Sequence, residues 1–260
     1  MEVNGIASFR KFFGDFTDAF VLLGGVACNE WFTEAVLEFR LTRDIDMVLL
    51  LEARSEEFFI HFLEYLHRGG YSRWERADGV KTSFRFVNPV TSDFPYMIEL
   101  LARPEIEFEP PPGQTIVRLS PGNGLSSLSA ILLDEDYYDL IMTQRAISRS
   151  GLPLVTPPCL LLLKSKAFLN LTADKAAGKN VKGSDIKKHR NDVFRLAYLL
   201  DGTFTDPLPD AVRNDLESFL AYFPNFSSDW QGIQDALRQS RLQRRESEDL
   251  VNVIRRFYSL

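Results

Sequence analysis

Two aspartates one residue apart, Asp44 and Asp46, stand at the head of the run DIDMVLLLE (44–52). Side chains at i and i+2 leave a strand on the same face, so both carboxylates would reach the same ions. Hard cations such as magnesium take oxygen ligands, and a two-metal centre needs carboxylates that bridge ions roughly 3.5–4 Å apart. Upstream, Gly24 and Gly25 follow the apolar run FVLL (20–23). A glycine pair between a strand and a helix lets backbone N–H groups approach phosphate oxygens, whose charge the helix N-terminus favours. A third carboxylate, Glu99, lies inside the apolar run YMIELLA (96–102). An unpaired buried carboxylate is costly, so Glu99 must face a cation, a partner charge or solvent at a sheet edge.

Elements must hold these groups in place, and the pattern of apolar residues predicts them. Ile6, Phe9, Phe13 and Phe16 recur at helical spacing over 6–18, and FVLL follows as a short buried strand ending in the glycine turn. Ala27, Trp31, Ala35 and Phe39 predict a helix from Ala27 to about Phe39, before the aspartate strand. An amphipathic helix is expected over about 55–68. From 71 to 119, SFRFV and TIVRL alternate as strands do, and Pro89, Pro104 and Pro110 to Pro112 break the stretch into short pieces. Beyond GLPLVTP the composition turns to helix formers: LLLLKSKAFLNL, DIKKHRNDVFRLAYLL and three further helical stretches. The expected architecture is therefore α/β (α+β), with a mixed-sheet domain over 1–155 and a helical C-terminal domain over 156–260. The stretch TADKAAGKNVKGSD (172–185) reads as a loop.

With those residues in place, FVLLGGVACNEWFTEAVLEFRLTRDIDMVLL resembles the signature of the nucleotidyltransferase superfamily, in which a glycine turn precedes a D-x-D strand. YMIELLA resembles the strand that bears its third carboxylate. Eighteen residues separate Gly25 from Asp44. That spacing is longer than in the DNA polymerase beta branch and is similar to the AbiEii and MenT toxin branch, which is associated with type IV toxin–antitoxin pairs. LLKSKAFLNL resembles the helical motif of that branch, mapped onto Lys164 and Ala167, and KKHRNDVFRL resembles its later motif, mapped onto Asp192.

The resemblance implies a metal-dependent transfer of a nucleoside monophosphate from a nucleoside triphosphate to RNA (tRNA among the acceptors), a protein or a small molecule. Asp44, Asp46 and Glu99 would be catalytic and would hold two magnesium ions, or manganese in their place. Gly24, Gly25, Lys164 and Asp192 would bind the nucleotide. Lys164 and Lys166 lie two positions apart, about 200° around a helix, so only one of them can point into a cleft; Lys166 is kept as the substitute. The resemblance also implies a cognate antitoxin as partner. Two departures stand out: Val26 replaces the usual serine or threonine after the glycines, and Arg195 replaces a second aspartate. Both favour the alternative, a noncatalytic member that binds a nucleotide or a partner.

Composition bounds the remaining readings. A net charge of -6 argues against a protein that coats nucleic acid through a basic surface. Cys28 and Cys159 lack metal-ligand spacing and read as buried thiols, which suits a reducing cytoplasm. MEVNGIASFRKFF carries no unbroken apolar run, so neither a secretory signal nor a membrane span is expected. His61 and His67 have no acidic or cysteine partner at zinc spacing. His189 reads as a surface residue, Asp134 to Asp136 as a turn or hairpin end, and Arg238, Arg241, Arg244 and Arg245 as a solvated face, with a basic stripe for an RNA backbone as the alternative.

Overall fold

The structure is a computed structural model that describes residues 3–50, 56–71, 73–77, 83–101, 116–119, 131 and 134–260. The chain divides into two compact units. One comprises Met1–Glu30, Leu41–Leu125 and Arg145–Val155, and the other Trp31–Arg40, Ser126–Gln144 and Thr156–Leu260. The fold is mixed α/β, with a helical C-terminal part.

The first unit opens with α1 (Ile6–Phe13), whose Ile6, Phe9 and Phe13 are buried, followed by a 3-10 turn over Gly14–Phe16. Strand β1 (Phe20–Leu23) is buried at all four positions, as befits a strand covered on both faces. β2 (Asp44–Leu49) alternates part-exposed Asp44 and Asp46 with buried Ile45 and Met47. After α3 (Glu56–Gly69) come β3 (Arg73–Ala77), β4 (Ser83–Val87), β5 (Met97–Leu101) and β6 (Ile116–Leu119). The hairpin of β7 (Arg145–Ile147) and β8 (Pro153–Val155) completes a mixed sheet in the order β6-β3-β4-β5-β2-β1-β8-β7. The proline-broken stretch at Pro104 and Pro110 to Pro112 and the end of DIDMVLLLE at Leu51 and Glu52 lie outside the described residues. Rings of Phe9, Phe13, Phe20, Phe58, Phe62 and Tyr65 pack at centroid distances of 4.5–6.2 Å and fill the space between α1, α3 and the sheet.

Helix α2 (Gly24–Glu34) departs from expectation at both ends. It begins at Gly24 itself, with no separate turn before Ala27. It stops at Glu34, short of Phe39, because the Leu37 N–H bonds to the Phe32 carbonyl (2.8 Å) and the Val36 N–H to the Thr33 carbonyl (3.0 Å). This is the paired cap that turns a chain out of a helix through one left-handed residue. That residue is normally glycine, as at Gly70 after α3 (φ 64); after α2 it is Val36, at φ 59 and 92% exposed. A β-branched residue there is strained and gives no stop signal in a sequence.

In the second unit, α4 (Glu135–Thr143) starts at Asp134, whose carboxylate accepts from the Asp136 N–H at 3.1 Å. The acidic triplet is therefore a helix cap and first turn, not a hairpin end. α5 (Pro157–Ala176) has prolines in its first turn, where no N–H is needed. It runs further than expected, and α6 (Gly183–Leu196) starts earlier, so only residues 177–182 of the expected 172–185 loop lie outside helices. α7 (Asp210–Ala221), α8 (Asp229–Gln239) and α9 (Ser247–Tyr258) complete the unit. Phe168, Phe194, Phe219, Phe223 and Trp230 form its aromatic core at centroid distances of 5.0–6.2 Å. Among the described residues, no helix is long and apolar enough to cross a membrane.

Candidate active site

Gly24, the first residue of α2, has a φ of +67, a backbone conformation that L side chains avoid. A Cβ built there would lie 1.7 Å from Oδ2 of Asp46. The Asp46 carboxylate thus occupies the volume that any side chain at position 24 would need. It lies against the start of a helix, where the macrodipole favours a negative charge. Gly25 is required for the same kind of reason, since its Cβ would lie 2.5 Å from the Thr42 hydroxyl oxygen. The two glycines, expected to approach phosphate, are pressed against the chain's own polar side chains, Asp46 and Thr42.

Strand pairing extends this arrangement sideways. Asp46 is in register with Leu23 on β1 and with Glu99 on β5, and Glu99 with Arg85 on β4. Register partners on neighbouring strands project from the same face, about 4.8 Å apart. Asp44 and Asp46 share a face by the two-residue repeat, so Asp44, Asp46 and Glu99 lie on one face of the sheet. Glu99 is only 2% exposed, and the Arg85 guanidinium supplies its partner charge at 3.4 Å. Arg85 was missed in the sequence. Its place in the alternating run SFRFV marks it as facing away from buried Phe86, but pairing it with Glu99 requires the strand register. Among the described residues, no group of three or more His, Cys, Asp or Glu side chains is placed to hold a metal ion.

The second unit holds the other predicted residues, in a different environment. Asp192 on α6 is fully buried. Arg40 donates to it from Nε at 2.9 Å to Oδ1 and from Nη2 at 2.7 Å to Oδ2, and Arg195 from Nη1 at 3.0 Å to Oδ1. Lys164 on α5, only 2% exposed, brings its ammonium to 3.7 Å from Oδ2. Burial alone would raise the Asp192 pKa, but Arg40, Lys164 and Arg195 outweigh it and hold the carboxyl well below its ordinary range. Arg195 also donates to the Ser240 hydroxyl at 2.9 Å and to the Ala236 carbonyl at 3.0 Å. The residue that departs from the motif is thus a strut between α6 and the end of α8. Arg40 was not anticipated, because it lies 152 positions before Asp192 in the chain.

His189, expected at the surface, is 9% exposed, and its Nδ1 has no hydrogen-bond partner. Burial, then the neighbouring Lys164 charge, push its pKa well below the ordinary value. Lys166 leaves α5 in another direction and donates to Asp215 at 2.7 Å, where the Tyr137 hydroxyl also donates at 2.9 Å. Cys28 and Cys159 are buried thiols, as expected. His61, half-buried, stacks on Phe12 at 4.1 Å and contacts its carbonyl at 2.6 Å, so it serves packing rather than a metal. Arg238 pairs with Asp235, Arg241 with Glu38 at 2.9 Å and Arg244 with Glu246 at 3.7 Å, in the manner of a solvated face.

No protein-family model matches the chain, and no curated protein matches it. Among solved structures, an antigenic nucleotidyltransferase-like protein from Paracoccidioides brasiliensis is similar over 99% of this chain and 96% of its own, at 14% identity and a TM-score of 0.41.

Proposed function

We propose that the chain is a nucleotidyltransferase that moves a nucleoside monophosphate from a triphosphate donor to an acceptor and releases pyrophosphate. The observation that carries this reading is the lodging of the Asp46 carboxylate against Gly24 at the first turn of α2. Asp44 lies on the same strand face, and Glu99 is in register on the next strand. Fixed carboxylates beside a helix start place anionic oxygens and backbone N–H donors next to each other. A magnesium-bound triphosphate needs both, the oxygens for the cation and the donors for the phosphates.

The donor set fits a hard divalent cation through Asp44 and Asp46, with magnesium the natural choice and manganese a substitute. Such a cation, when bound, would screen the phosphate charge and polarise the phosphoryl oxygens. Asp44 and Asp46 are the residues that would hold it. Glu99 is engaged by Arg85, so in this reading it acts on the acceptor side only after that ion pair is exchanged. Gly24 and Gly25 keep the start of α2 bare enough for Asp46 to reach it. Lys164 and Asp192, with Lys166 as the substitute for Lys164, enter the reading through the motif resemblance, as does the physiological setting of a toxin held by an antitoxin. RNA, a protein and a small molecule remain the acceptor classes.

Incubating the chain with each labelled triphosphate, magnesium, total RNA and total protein tests the reading. Label should enter one macromolecular pool with wild type and none with Asp46→Asn. Full transfer by Asp46→Asn would overturn the assignment. The Arg85–Glu99 pair favours a second reading, a noncatalytic member that binds a nucleotide or a partner. Calorimetric binding of a triphosphate with no transfer to any pool would support it.

A further inference from the structure

Between residues 172 and 190 the chain carries six Lys and Arg against two Asp, although its net charge is -6. This basic stretch is the end of α5, the connection 177–182 and the start of α6. With Tyr222, just after α7, it lines a cavity of about 380 Å³. Phe168, Ile186 and Tyr222 form apolar walls, and Lys175, Lys187 and Arg190 stand around them. Phe168 is buried and meets the half-exposed Tyr222 ring edge-on at 5.3 Å. Phe226, in the loop between Tyr222 and Asp229, is 90% exposed. Aromatic rings left in water by an apolar cavity with a charged rim mark an interaction surface. The acids near the cavity are already engaged: Asp229 pairs with Arg190, and Asp174 with Lys179 at 2.6 Å. Lys175 and Lys187 make no ion pair among the described residues. Their stems can lie along the apolar wall while the ammonium groups stay in water.

We propose that this cavity docks an acidic segment of a partner protein: an aromatic side chain enters between Phe168, Ile186 and Tyr222, and carboxylates flanking it pair with Lys175 and Lys187. Charge and shape select this occupant. An isologous contact between two copies of the chain would set the lysines against one another. A bilayer surface is flat and would leave the concavity unfilled. A nucleic-acid base needs hydrogen-bond partners along its edges, which phenylalanine, isoleucine and a tyrosine ring supply poorly. An aromatic anchor fills the cavity and leaves its flanking acids at the rim, where the lysines steer them in. Every residue involved belongs to the second unit, so the docking holds whether or not the chain transfers nucleotides.

The test is fluorine NMR of a blocked synthetic peptide, Glu-Glu-Phe-Glu-Glu with para-fluorophenylalanine at its centre, titrated with the full chain. The fluorine resonance should shift, and a peptide with alanine at the centre should bind about tenfold more weakly or worse, as expected when no aromatic ring is buried. A peptide with lysines in place of the glutamates should not bind, a control that needs no variant of the protein. Lys187→Glu, at an exposed position, should weaken binding about fivefold and reduce its salt dependence. Tyr222→Ser should weaken binding about tenfold through loss of an apolar wall. No shift with wild type, equal binding of the alanine peptide, or binding indifferent to both substitutions overturns the site. Wild type that ignores the peptide but binds phosphatidylserine vesicles or single-stranded RNA in a Lys187-dependent way also overturns it. A Tyr222-dependent dimer in sedimentation of the chain alone would give the surface to a second copy and do the same.

Discussion

Asp46 and Asp192 are both aspartates singled out by motif, and their surroundings are opposite. Asp46 is part-exposed on β2, with its carboxylate against bare glycine backbone at a helix start. Asp192 is fully buried, and three cations converge on it. A part-exposed carboxylate beside a helix start can be reached by a ligand. One whose oxygens are claimed by Arg40 and Arg195 holds protein together instead. A motif match marks both residues equally and does not distinguish these roles.

The sharpest way to break the comparison is to neutralise each aspartate isosterically and compare stabilities. Asp192→Asn leaves Arg40, Arg195 and Lys164 without their counter-charge in a buried site, which should cost about 3–5 kcal/mol. Asp46→Asn removes a charge near the surface and should cost less than about 1 kcal/mol while abolishing transfer. Denaturant unfolding of the two variants decides the matter. Equal losses would mean that the two carboxylates do the same structural job.

A smaller effect is expected from Gly24→Ala. The added Cβ meets Asp46 Oδ2 at 1.7 Å and is placed on a left-handed backbone, which alone costs about 1–2 kcal/mol. The carboxylate must move aside, so both stability and transfer should fall, whereas Asp46→Asn lowers transfer alone. A fully active Gly24→Ala enzyme would mean that the contact between Asp46 and the helix start is dispensable.

The smallest effect concerns pH. His189 has a folded pKa depressed below its unfolded value, so above about pH 6.5 it is neutral in both states and adds no pH dependence. As pH falls below that value the unfolded chain takes up a proton that the folded chain refuses, and stability is lost. The depressed Asp192 carboxyl gives a separate loss at lower pH, below about 4, as the unfolded carboxylate protonates first. Melting temperature should therefore decline from pH 7 to pH 5, and His189→Asn should flatten that decline. An unchanged slope would show that other histidines set it.

Much of the first unit was legible in the sequence because its strands are bounded and patterned. FVLL is buried at every position, and DIDMVL and MIELL are neighbouring strands with Asp46 and Glu99 in register. What could not be read is pairing at a distance. Arg85 meets Glu99 through strand register, and Arg40 meets Asp192 across 152 residues. No local pattern encodes either contact. The burial of His189 escaped for a related reason: α6 has Lys187, Lys188 and Arg190 around it, and only the packing of α5 and α8 decides which of these polar positions faces inward. The early end of α2 escaped because a valine performs the turn that a glycine normally signals.

The interleaving of the two units bears on how the chain can come off a ribosome. The six segments that compose them alternate along the chain, so it passes from one unit to the other five times. Arg40 emerges early and must wait for Asp192, and closing so long a loop costs entropy that only the finished cluster returns. The first unit can be completed once Pro153–Val155 has joined the sheet, while the second unit is still missing most of its helices. A fragment that starts at Thr156 would carry Asp192 and Arg195 without Arg40. Neither unit is one continuous stretch of chain, so neither can be cut out as a single fragment.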